Sequence, residues 1–201
     1  MEVLLVIGII IISTCLALVL PQKASAHCDT MDGPTVADGR KALETNNVNY
    51  ALKWVGPEYD EELSKIFKLC VIVRKHGPDA QELADQYFLE SLVRIHRTGE
   101  GVPYTGVKPS GTPIDEKIAA ADKSIAVGNL SPLEGMVAGD KIAELQARFA
   151  RVMALKDFDV NDVSAGREYI EAYVQFFKFA EGEEEEHGHG HAHGHAPEHH
   201  K

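Results

Sequence analysis

The sequence predicts an all-α protein, an antiparallel helical bundle with short Gly/Pro connections and a disordered histidine-rich tail. Three observations predict it. Gly-Pro pairs at Gly33-Pro34, Gly56-Pro57 and Gly77-Pro78 punctuate the chain, each placing proline where a helix starts and its missing N–H costs nothing. Between them apolar residues recur at helical spacing. No stretch shows the alternation of a strand bounded by turn residues.

The first 26 residues read as an export segment. Val3 to Leu20 is almost unbroken apolar, interrupted by Ser13, Thr14 and Cys15, and Ala24-Ser25-Ala26 is a small-residue cleavage site. The run is longer than a usual signal core and near the shortest membrane span. An uncleaved anchor is therefore the alternative, with Glu2 rather than a basic residue in front of it. Either reading puts the folded part outside the cytoplasm, periplasmic or extracellular, and membrane contact follows only if the segment is retained. Residues 27–180 form the bundle domain and 181–201 the tail.

The first helix runs from Pro34 to about Glu44, and Thr45-Asn46-Asn47 interrupts it. A short apolar segment, Val48 to Val55, carries the only tryptophan, Trp54. The next helix starts at Pro57, with Glu58, Asp60, Glu61 and Glu62 near its positive end, and runs to about His76. Leu63, Ile66, Phe67, Cys70 and Val73 form its buried stripe. From Pro78 to about Thr98, Leu89, Leu92, Val93 and His96 share one face, and Glu82, Glu90, Arg94 and Arg97 the other.

Gly99 to Gly111 is the one long loop, with Tyr104 its only aromatic residue. Helices resume from Pro113 to Val127, restart at Pro132, and continue from Asp140 to Lys156 with a stripe of Ile142, Leu145, Phe149, Val152 and Met153. Asp157 to Asp162 is a turn. Its alternate carboxylates lack the glycine and terminal glutamate of a calcium loop. The last helix, Val163 to Ala180, is rich in aromatic residues destined for the core.

A net charge of −11 argues against nucleic acid as a partner. Metal ions are the partners the residues favour. Seven of the ten histidines, His187, His189, His191, His193, His195, His199 and His200, lie in the tail, mostly alternating with glycine after Glu183 to Glu186. Imidazoles on such a chain chelate nickel, copper or zinc. At the other end, cleavage after Ala26 makes His27 the N-terminus and Cys28 the second residue. An amine, an imidazole, an amide and a thiol then stand within one chelate, with Asp32, Cys70 and His96 as further donors. In an oxidising compartment Cys28 and Cys70 can instead form a disulfide. His96, on an apolar face, also fits a hydrogen-bonded core residue.

His27-Cys28-Asp29 at a processed N-terminus resembles the metal hook of nickel superoxide dismutase, whose mature chain begins His-Cys-Asp-x-Pro-Cys before a four-helix bundle. The resemblance implies amine and imidazole ligation by His27, amide and thiolate ligation by Cys28, and redox chemistry on superoxide or a related small oxygen species. Met31 and Asp32 stand where that family has proline and its second cysteine, so Cys70 would have to supply the missing sulfur. His27 with an internal imidazole such as His96, near Tyr104 or Tyr87, also resembles the histidine brace of copper enzymes and carriers, which are β-sandwiches. The body resembles a family of uncharacterised bacterial and archaeal helical proteins that begin His-Cys-Asp. They carry a segment like Leu92-Val93-Arg94-Ile95-His96-Arg97 followed by Gly-Glu-Gly and Pro-Tyr-Thr-Gly. Three functions stand open on these grounds: a metal centre at the N-terminus, metal sequestration or delivery by the tail, and a structural protein with a Cys28–Cys70 disulfide.

Overall fold

A computed structural model describes residues 27–182. The export segment and the tail histidines His187, His189, His191, His193, His195, His199 and His200 lie outside the described residues. The described residues form helices α1 (Pro34–Thr45), α2 (Asn49–Leu52), α3 (Asp60–Val73), α4 (Pro78–Gly99), α5 (Glu116–Val127), α6 (Ile142–Leu155) and α7 (Val163–Glu181). Among them there is no sheet, and the only strand-like pairing is one bridge between Thr30 and Lys108.

The Gly-Pro signals act as expected. Pro34 and Pro78 open α1 and α4, and Pro57 opens a single 3₁₀ turn, Pro57–Tyr59, that leads into α3. Two proline starts were misplaced. The helix expected at Pro113 begins at Glu116, because Asp115 caps it by accepting the Lys117 N–H. The helix expected at Pro132 is only a 3₁₀ turn, Ser131–Leu133. Gly135, in the left-handed region at φ 75°, lies just beyond it. The helix expected to reach His76 stops at Val73.

Two groups of three helices make up the body. In the first, α4 packs between α1 and α3; in the second, α7 packs between α5 and α6. Gly39 of α1 allows the α1–α4 approach, since a Cβ there would stand 2.7 Å from Leu89 Cδ2 and 2.9 Å from Leu92 Cδ2. Phe88 and Leu92 are fully enclosed in the first group and Phe176 and Phe177 in the second, each contributing about 2–3 kcal/mol by burial.

The groups meet around Trp54, just after α2. Its ring stands edge-on to His96 of α4 at 5.8 Å and to Tyr173 of α7 at 6.2 Å. Nearby, Arg167 of α7 donates to the Val55 carbonyl at 2.9 Å and pairs with Asp60 at the start of α3. The N-terminal turn, residues 27–33, enters this same junction.

Candidate functional site

His27, Cys28, Asp29 and Thr30 are all buried, at 4%, 1%, 4% and 3% exposure. Four consecutive buried residues, three of them ionisable, are costly unless their polar groups are partnered. The main chain is partnered first. The Gly33 N–H donates to the Thr30 carbonyl at 3.0 Å, Lys108 N–H to Asp29 O at 2.7 Å, and Met31 N–H to Lys108 O at 2.9 Å. The Gly99–Gly111 loop therefore lies along the turn and closes it. Gly33 is required where the turn meets α1, because a Cβ there would fall 2.1 Å from the His27 carbonyl oxygen.

The side chains diverge into two networks. His27 points towards the second helix group. Its Nε2 lies 2.8 Å from the Tyr173 hydroxyl and 2.9 Å from Asp122 Oδ2, and Tyr173 donates to Asp122 Oδ1 at 2.6 Å. The Tyr173 O–H points at Asp122, so His27 Nε2 carries a hydrogen and donates to both neighbours. Nδ1, the ring nitrogen nearer the histidine's own main chain, then holds the lone pair in the neutral ring. Phe177 stands edge-on to the imidazole at 5.8 Å. Burial foremost, then the Asp122 carboxylate, raises the Tyr173 phenol well above its ordinary pKa, so it stays protonated as a donor.

The second network lies at the C-terminal end of α4. Arg97 Nε is 3.4 Å from Asp29 Oδ2, and its Nη1 donates to Glu100 Oε2 at 2.8 Å. Arg97, expected on the polar face, is buried at 7%, because the folded-back turn covers that end of the helix. His96 donates from Nδ1 to the Trp54 carbonyl at 2.8 Å, and its Nε2 lies 3.8 Å from Glu100 Oε2. His96 Nε2 and Asp29 Oδ1 are buried with no hydrogen-bond partner among the described residues. Burial, then the Glu100 carboxylate, pushes the Cys28 thiol up to about 12, with the Thr35 hydroxyl opposing. Burial also raises Asp29, with Arg97 and His96 opposing.

The other predicted donors are placed elsewhere. Asp32 is exposed and turned to the loop, where it accepts from Ser110 Oγ at 2.7 Å and the Gly111 N–H at 2.7 Å. Those donors, Gly111 foremost, hold its carboxyl below the usual range. Both described cysteines are free. Cys28 feels Arg97 and Glu100, whereas Cys70 lies beside Ala84 and feels Asp85. Ala84 and Arg97 are about 20 Å apart along α4 at 1.5 Å per residue. The disulfide is thus not formed, and Cys70 does not bring a second sulfur to the turn. Tyr87 is exposed beside Cys70, but Tyr104 is half-buried close enough to Asp29 to feel its charge.

Among the described residues, no group of three or more His, Cys, Asp or Glu side chains is spaced to hold a metal ion. A centre here would therefore need main-chain donors as well: the His27 amine and Nδ1, with the Cys28 amide and thiol. Asp122, Tyr173 and Asp29 were missed as site residues. Asp122 had one signal, a carboxylate directly after the apolar run Ile118-Ala119-Ala120-Ala121.

Fold and site together define a helical domain that buries the turn of residues 27–33 between two three-helix groups. The chain belongs to the family of unknown function DUF6448, whose model matches residues 32–179. That match begins just past the buried turn. No curated protein and no solved structure matches the chain, and among the described residues no helix is long and apolar enough to cross a membrane.

Proposed function

We propose that this is an exported metal-binding protein whose centre forms at the processed N-terminus. His27 supplies its amine and Nδ1, and Cys28 its amide and thiolate. One observation carries the reading: Asp122 and Tyr173 hold the His27 imidazole through Nε2, which leaves Nδ1 for a six-membered chelate with the same residue's α-nitrogen. Ligating histidines usually donate their other N–H to a carboxylate or carbonyl in this way. His96 repeats the pattern through the Trp54 carbonyl. Such an N/S donor set suits nickel or copper, which when bound would supply one-electron chemistry on superoxide or a related small oxygen species.

The chain's own residues do the rest. Burial excludes water, and the Gly99–Gly111 loop holds the turn in place. The Cys28 thiol is protonated on its own, so loading must release its proton. The test compares the chain starting at His27 with one carrying a single extra N-terminal residue, both lacking residues 183–201. The expected result is about one tightly held metal, with a thiolate-to-metal absorption band, in the first only. Equal metal content and equal spectra would refute the N-terminal site.

The seven tail histidines favour a second, non-enzymatic reading, metal sequestration or delivery, with zinc also accommodated there. Removing residues 187–201 from the full processed chain decides it. Loss of all tight metal binding would support the carrier.

A further inference from the structure

A cleft of about 740 Å³ opens on the far side of the His27 network, between α1, α2, α5, α7 and the turn after α6. That size suits a small organic ligand. Its walls are aromatic: Tyr50, Trp54, Phe158, Tyr169 and Tyr173. Tyr169 and Tyr173 lie nearly parallel, with ring centres 6.2 Å apart.

The polar groups of the cleft are unevenly committed. Asp38 accepts from Trp54 Nε1 at 2.8 Å and pairs with the buried Lys53 at 2.9 Å. Asp122 is held by Tyr173 and His27. Asp159 accepts from the main-chain and side-chain amides of Asn161. Every carboxylate that lines the cleft thus has at least one partner, although Asp38 Oδ1 and Asp159 Oδ2 take no part in these bonds. The exposed Lys41 and Lys156 are paired with none of them. Lys41 stands over the Tyr50 ring at 4.8 Å, and neither lysine meets a carboxylate among the described residues. The two lysines set cationic donors beside flat apolar walls, on a protein whose net charge is −11.

From this we infer that the cleft is a binding site for a small aromatic carboxylate. Its ring lies against the aromatic wall and its carboxylate meets Lys41 and Lys156. A cationic ligand would face the two exposed lysines, and a non-aromatic anion would leave the wall uncovered. The site does not depend on a metal at the N-terminus, although Asp122 and Tyr173 belong to both, so a bound ligand sits one hydrogen bond from His27.

Trp54 is the only tryptophan and lines the cleft, so its emission reports occupancy. The full processed chain, freed of metal, is titrated with benzoate, benzamide, benzylammonium and acetate. Benzoate should give a saturable change with a dissociation constant below about 1 mM. Benzamide and benzylammonium keep the ring but lose both ion pairs, and acetate keeps the charge but loses the ring contact, so each should bind at least about fivefold more weakly. K41Q and K156Q should each weaken benzoate binding about fivefold, the upper range for one exposed ion pair. Both lysines are exposed, and far-ultraviolet circular dichroism confirms that each variant stays folded. A linear, unsaturable response to benzoate, equal binding of benzamide or benzylammonium, or unchanged affinity in the double variant would overturn the assignment. None of these outcomes bears on metal content, so this test and that of the N-terminal centre fail separately.

Discussion

Replacing Tyr173 by Phe removes one oxygen from the centre of the His27 network and keeps the ring. The ring's contacts with Phe177 at 5.2 Å, Trp54 at 6.2 Å and Tyr169 remain, so little packing is lost. What disappears is a 2.6 Å hydrogen bond to the Asp122 carboxylate and a 2.8 Å contact with His27 Nε2. A hydrogen bond to a charged group contributes about 1.5–3 kcal/mol net. Asp122 is 35% exposed on its side chain and keeps His27 at 2.9 Å, so water and the histidine compensate in part. The expected loss is near the lower end, about 1.5 kcal/mol. For a domain of this size that lowers Tm by about 3–6 °C. Thermal and urea unfolding followed by circular dichroism measure it. A double-mutant cycle with Asp122→Asn should return a coupling of about 1 kcal/mol. A loss under about 0.5 kcal/mol, with no coupling, would mean that the Tyr173–Asp122–His27 network does not hold the turn.

Two further outcomes follow from the turn and its loop. Asp32→Ala should release the 99–111 loop and speed amide exchange at Gly111, whose N–H is bonded to that carboxylate. Because the folded carboxyl lies below its ordinary value, wild-type protection is complete at neutral pH. It is lost only as pH falls below the ordinary carboxylate range and through the folded value. Protection that fades at higher pH, or persists unchanged in the variant, would contradict this. In the native protein at mildly alkaline pH, Cys70 should react with iodoacetamide before Cys28: both are buried with raised thiols, but that of Cys28 is pushed up to about 12, with Glu100 and Asp29 adding to its burial. Peptide mapping by mass spectrometry reads the order, and urea should abolish the difference.

Local rules carried the architecture. Of the expected stripes, Leu63, Phe67 and Cys70 are buried with Ile66 and Val73 half-buried at their edge, Leu145 and Val152 are buried with Ile142, Phe149 and Met153 half-buried, and the α7 aromatics Tyr173, Phe176 and Phe177 are buried. Helical periodicity is a property of neighbours in the chain, and so are proline's missing N–H and glycine's freedom. Where local rules failed, another local group had won, as when the Asp115 cap displaced the start expected at Pro113.

The chain's sequence by itself determined that it is helical, where most helices begin, and that His27-Cys28-Asp29 is an unusual run of donor groups. Only the tertiary structure decided what those residues touch. His27 meets Tyr173 across 146 residues, Asp32 serves a loop 78 residues away, and the two cysteines lie against different stretches of α4. The reason is physical. A buried polar side chain takes whichever partner the packing of distant helices delivers, and no spacing in the sequence encodes that delivery.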